Sequence, residues 1–193
     1  FTPYVFALVL TLSFILLMMT FRSIVIPIKA VLMNLLSVGV AYGLLVLVFQ
    51  KGIGNEIFGF QQTDIIEAWI PLFLFCVVFG LSMDYHVFLL SRVKEFYNKT
   101  KDNTLAVSYG LSSTATIITG AGLIMVAVFG GFALGEMLMM QQIGFGLLVA
   151  ILLDSTIIRI ILVPASMKLL GEYNWYMPKW LEWLPTVKFE AEN

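Results

Sequence analysis

The sequence predicts an all-helical membrane protein, a bundle of five transmembrane helices, and three observations carry that expectation. Hydrophobic residues make up 60% of the 193 positions and charged residues only 12%, against roughly 45–50% and about 25% in an ordinary soluble domain. The apolar residues fall in five long runs, each near the roughly 20 residues that a helix needs to cross a bilayer. No polar stretch between the runs is long enough to fold as a soluble domain. This balance excludes a soluble enzyme domain. A net charge of -1 gives no basic surface for nucleic acid, and the lone Cys76 excludes both an internal disulfide framework and a cysteine-rich metal site.

Taken in order, the runs cover residues 3–21, 24–49, 69–90, 105–132 and 137–169. The last exceeds what a bilayer requires, so it should tilt or extend past the membrane. Residues 1–170 therefore form the predicted bundle and 171–193 a tail. The longest connection, Gln50 to Ala68, contains the turn-prone Lys51-Gly52-Ile53-Gly54-Asn55 and the acids Glu56, Asp64 and Glu67, as suits an exposed loop. Arg22 and Lys29 flank the first connection, Arg92, Lys94, Lys99 and Lys101 crowd the third, and Lys168, Lys179 and Lys188 follow the last span. The positive-inside bias then places the amino end outside and the carboxyl end in the cytoplasm. Trp175, Tyr176, Trp180 and Trp183 follow the fifth span closely, which predicts a short interfacial segment. The chain begins at Phe1 in an apolar run without a basic leader, and reads as a piece of a longer protein.

Charge inside hydrocarbon costs several kcal/mol, so Asp84, Asp154 and Arg159 each need a reason. At 1.5 Å per residue Asp84 lies about 22 Å from Trp69 and about 12 Å from Arg92, out of reach of both interfaces. Asp154, about 21 Å before Lys168, should sit at a similar depth. Five residues of α-helix separate Asp154 and Arg159 by roughly 140°, which argues against a pair between them, although Pro164 frees the carbonyl of Ile160 and can bend that helix. One turn from Asp84 stand Gly80, Leu81, Val87 and Phe88, an apolar setting that favours the neutral acid and suits a proton carrier. Tyr85 supplies a hydroxyl beside it. His86 points some 200° away from Asp84 and reads as a satisfied interface histidine.

The fourth span carries a stripe of small and hydroxyl residues from Ser112 to Gly122, including Thr116, Thr119, Gly120 and Gly122. Small residues let membrane helices approach closely, and Gly80, Gly144 and Gly146 fit the same role. Thr116 or Thr119 is expected to face Asp84, together with the helix bearing Asp154, so that the last three helices share one polar-lined core. Gln141 and Gln142 read as interface polars, and the ten methionines as membrane or core filler. The sequence contains no phosphate-binding loop, no His-Glu-x-x-His and no nucleophile elbow, and neither a cofactor nor a metal is expected.

The segment Gly80-Leu81-Ser82-Met83-Asp84-Tyr85-His86-Val87-Phe88-Leu89-Leu90-Ser91-Arg92 resembles the signature of the MMPL lipid transporters of the resistance-nodulation-division (RND) superfamily, in their YdfJ-like branch. Gln142-Ile143-Gly144-Phe145-Gly146, Leu153-Asp154-Ser155-Thr156-Ile157-Ile158-Arg159 and Leu162-Val163-Pro164-Ala165 resemble it too, and with the Asn174-Trp175 tail the likeness covers essentially the whole chain. It implies helices eight to twelve, the carboxyl-terminal transmembrane half of a proton-driven exporter of lipids or amphiphiles in a bacterial plasma membrane. Asp84 and Tyr85 match the pair that takes up and releases protons in such proteins, and Asp154 and Arg159 match polar positions of the last helix. The implied partners are protons, membrane lipids and an absent amino-terminal half holding the matching pair and the extracytoplasmic domains.

Two other readings compete. A SecDF-like export motor is disfavoured because its polar motif differs from Gly-Leu-Ser-Met-Asp-Tyr. A five-helix lipid-sensing or scaffold module, resembling a sterol-sensing domain, would bind lipid without moving protons. Without its partner half, the face bearing Asp84 should either self-associate or keep that carboxyl neutral.

Overall fold

The computed structural model describes residues 2–54 and 59–178 of the chain. Five helices long and apolar enough to cross a membrane account for nearly all of them. The first is α1 (Thr2–Phe21). The second, α2 (Val25–Leu45), runs on through one π-helical turn, Val46–Gln50. The third and fourth are α3 (Trp69–Thr100) and α4 (Asn103–Ala133). The fifth is composite: α5 (Leu138–Leu153), a π-helical stretch Asp154–Leu162, α6 (Val163–Leu170) and a closing 3₁₀ turn, Gly171–Trp175.

Local sequence explains where the helices stop. α3 runs to Thr100, ten residues beyond the apolar run, because Glu95 bridges Arg92 at 3.1 Å and Lys99 at 3.0 Å, keeping the polar end helical in water. Lys101 then turns the chain in a left-handed conformation (φ 58°). Asp102 caps α4 by accepting from the backbone N–H groups of Thr104 (2.8 Å) and Leu105 (3.0 Å). Its hairpin with α5 is short and closely packed. A Cβ added at Gly144 would lie 2.3 Å from the backbone nitrogen of Ala133 and 2.7 Å from the carbonyl oxygen of Phe129, so only glycine fits. Gly146 faces Leu74 and Leu45, and Gly110 faces Val93, just as tightly, while a Cβ at Gly122 would meet Ser155 at 3.3 Å, a close but less severe contact. Gly80 and Gly120 depart from the close-packing expectation: among the described residues no atom lies within 4 Å of a Cβ at either, since both sit on outward faces.

The bundle interior has three layers. Val38, Leu45, Phe49, Leu74, Phe75, Phe79 and Leu147 fill one end. Leu17, Phe21, Ile26, Leu89, Val93, Ile118 and Met167 fill the other. Between them α2, α3 and the π-helical stretch contribute the buried polar residues Asn34, Ser82, Asp154 and Arg159. At the first end the connection between α2 and α3 folds onto the bundle: Phe60 stacks on Phe49, and Gln141 accepts from the backbone N–H of Gln61 (3.2 Å) and donates to the carbonyl of Gly135 (2.8 Å). Gln141 is thus a buried loop anchor, and Gln142 is buried with its Nε2 unpaired among the described residues, so neither is the interface polar expected from its position near a helix end.

At the other end the chain doubles back beneath the helices. Asn174, fully buried, donates to the carbonyls of Met167 and Gly171, accepts from the Lys29 ammonium at 2.7 Å, and through its own carbonyl accepts from Ser23 at 2.6 Å. Trp175 stacks on Tyr97, lies under the Lys94 ammonium and donates to Asn103. The expected interfacial segment begins here, but Lys179, Trp180, Trp183 and Lys188 lie outside the described residues.

Candidate functional site

The polar layer is built from three helices. Arg159 is 1% exposed and Asp154 5% exposed, and its Nη2 donates to Asp154 Oδ2 at 2.7 Å. The sequence argued against this pair, and the backbone is the reason it forms. In the stretch Asp154–Leu162 the hydrogen bonds run from i to i+5, as from the N–H of Val163 to the carbonyl of Ile158, so side chains five residues apart stack on one face. The α-helical 140° separation does not apply there. Pro164, with no N–H to give Ile160, removes the α-helical alternative at the end of this stretch.

Ser82 joins the pair to α2. Its hydroxyl oxygen lies 2.9 Å from Asp154 Oδ1 and 2.7 Å from Asn34 Oδ1, and Arg159 Nη2 also donates to the Ser82 backbone carbonyl at 3.1 Å. One residue beyond Asp84, the ring of Tyr85 lies 5.0 Å from the guanidinium carbon of Arg159, a cation–ring contact inside the bundle. A narrow pocket lined by Tyr85, Ser82, Asp154, Ser155, Arg159 and Gly122 opens beside them. Arg159 Nε and Nη1 are buried there without a hydrogen-bond partner among the described residues. Desolvated, oppositely charged and adjoining a phenol, these groups can hold a proton on the carboxyl or release it without losing the arginine's charge.

The structure separates residues that the sequence grouped together. Asp84 is exposed on the outward face of α3, beside the exposed Gly80, and faces neither Thr116 nor Thr119. Those two threonines also point outward from α4, and the buried hydroxyl of that helix is Thr114, which donates back to its own Gly110 carbonyl at 2.7 Å. The polar core therefore runs through Tyr85 and not through Asp84, because 100° per residue turns consecutive side chains to different faces. His86 is buried, 2% exposed, and its Nδ1 finds no partner of good hydrogen-bond geometry among the described residues. It lines a small cavity with Lys29, Met33 and Ser166. Asn34 and Ser82 were not identified as site residues from the sequence. The available signal for Asn34 was an amide in the middle of an apolar run, and for Ser82 its place half a turn before Asp84.

Residues 4–183 match the sequence pattern of the MMPL family. The chain belongs to the MMPL family. The mycolic acid-containing lipids exporter MmpL11 of Mycolicibacterium smegmatis is 44% identical over 189 residues, covering 97% of this chain and 20% of that protein. The heme uptake protein MmpL11 of Mycobacterium tuberculosis is 43% identical over the same shares. The trehalose monomycolate exporter MmpL3 of M. smegmatis is 39% identical over 180 residues, 93% of this chain and 18% of its own length. This MMPL chain thus spans about one fifth of the length of the curated relatives it matches.

Proposed function

We propose that this chain is the carboxyl-terminal transmembrane half of a proton-driven MMPL exporter of lipids or amphiphiles, seated in a bacterial plasma membrane with its amino end outside and its carboxyl end cytoplasmic. One observation carries the reading. Asp84 lies mid-helix on an outward face exposed among the described residues, while the ring of its neighbour Tyr85 reaches the buried Arg159, the partner of Asp154, on the inward side. A carboxyl left on lipid would be costly. A second half placed against that face would receive Asp84 and connect it, through Tyr85, to the ion pair. Alternating access needs two such repeats to move against each other around a midplane site, and the lipid exporters among the relatives are about five times longer than this chain.

In this scheme Asp84 takes and gives up the transported proton, Tyr85 relays through its hydroxyl, and Arg159, held in place by Asp154, supports the relay with a fixed positive charge. The test is Asp84→Asn in the intact protein. It should abolish proton-coupled lipid export with insertion and folding unchanged. Undiminished export would remove Asp84 from the relay.

A further inference from the structure

The buried contacts among Asn34, Ser82 and Asp154 hold one proton too few. Ser82 has a single hydroxyl hydrogen, yet its oxygen lies 2.7 Å from Asn34 Oδ1 and 2.9 Å from Asp154 Oδ1, both acceptors when Asp154 is ionised. Asn34 Nδ2, which has two hydrogens to give, is buried with no partner among the described residues. Two arrangements make both contacts good. With Asp154 neutral, its Oδ1–H donates to Ser82 and Ser82 donates to Asn34 Oδ1. With Asp154 ionised, Ser82 donates to Asp154 Oδ1, and the Asn34 amide turns over so that Nδ2 donates to Ser82. Exchanging the amide oxygen and nitrogen needs almost no change of shape, so one cavity accommodates both.

We propose that Asn34 is a positioning residue for Asp154: its side-chain amide reverses when that carboxyl gains or loses a proton, and Ser82 transmits the change. The inference rests on the reading of the polar layer as proton-handling. On release, the Oδ1–H bond of Asp154 breaks and the proton leaves to solvent. Ser82 swings its own hydrogen from Asn34 to the vacated oxygen, and the amide turns to supply the replacement bond. Arg159 holds Oδ2 at 2.7 Å in either state, confining the change to Oδ1. The other ionisable groups around this layer are Tyr85 and His86 on α3, with Asp84 outside it on the same helix, and Lys29 on α2 beside His86. From α1 and α4 comes no acid, lysine, arginine or histidine at all. Asn34 is 0% exposed and Ser82 3%, so water does not compete for either bond.

The experiment is a pH titration of the intact protein in lipid bilayers with ¹⁵N-labelled asparagine. The side-chain amide of Asn34 is followed by NMR and the carboxyl band of Asp154 by infrared. Asn34→Gln identifies the first signal by its loss, and Asp154→Asn the second. The Asn34 amide should shift with the same midpoint as the Asp154 band. Ser82→Ala should abolish that shared shift, and Ser82→Thr, which keeps the hydroxyl, should retain it. An amide that stays still while Asp154 titrates overturns the inference and leaves the transport reading intact, as does a shared shift that survives Ser82→Ala. If Asp154 holds one protonation state throughout, the inference fails, and the transport reading is judged separately by the Asp84→Asn export assay.

Discussion

Arg159 shows what one residue costs in this bundle. Its guanidinium is almost wholly buried and has a single counter-charge among the described residues, Asp154. Arg159→Met leaves that carboxylate unpaired and should destabilise the fold by about 3–5 kcal/mol. Joining it with Asp154→Leu should recover most of the loss, since an apolar pair of similar volume suits the low-dielectric interior. Thermal unfolding of the three variants in detergent reads this, and additive losses in the double variant would contradict it. Tyr85 separates two roles that the sequence could not. Phe keeps the ring over Arg159 and loses the hydroxyl, so Tyr85→Phe should impair export about as much as Tyr85→Ala if the hydroxyl relays protons. Full export with Phe and failure with Ala would make the ring contact the working part. The charges themselves were legible, because each stands out in an apolar run. Their partners were not, since pairing depends on which face each side chain takes and an α-helical period was assumed throughout.

Among the elements, the fifth span departs furthest from regular geometry. Its apolar run predicts a helix without revealing that nine residues of it, Asp154–Leu162, adopt π geometry. Pro164 was the one local sign, and it marks a disturbance without specifying its pitch. Helix positions, by contrast, follow directly from apolar length, and the α3 extension to Thr100 reflects an ion-pair ladder that a hydrophobic count ignores. The glycines divide the same way. Gly144→Ala should destabilise the α4–α5 hairpin by about 1–3 kcal/mol, because the new methyl would meet backbone atoms that cannot swing aside. Gly120→Ala, on an open face, should be neutral or gain up to about 1 kcal/mol from helix propensity. Unfolding midpoints of the purified chain decide both, and a destabilised Gly120→Ala would show that face to be packed.

For the whole molecule, burial is uneven. Within the most apolar stretch of each span, only 17% of the residues of the first and 11% of those of the fourth are buried in the bundle, against 39% and 44% for the third and fifth. The outward faces carry Leu8, Leu12, Leu123, Ile124 and Val128, apolar enough for lipid, but Asp84 interrupts one of them. A mid-helix carboxyl on an otherwise apolar exterior is the trait of a part that works against another part. The most direct measurement is therefore proton-driven lipid movement in proteoliposomes, with the intact protein and the 193-residue chain reconstituted side by side under an imposed pH gradient. The account predicts lipid movement and coupled proton flux with the intact protein, neither with the folded chain alone, and neither with intact Asp84→Asn. Proton-driven lipid movement by the chain alone would contradict it.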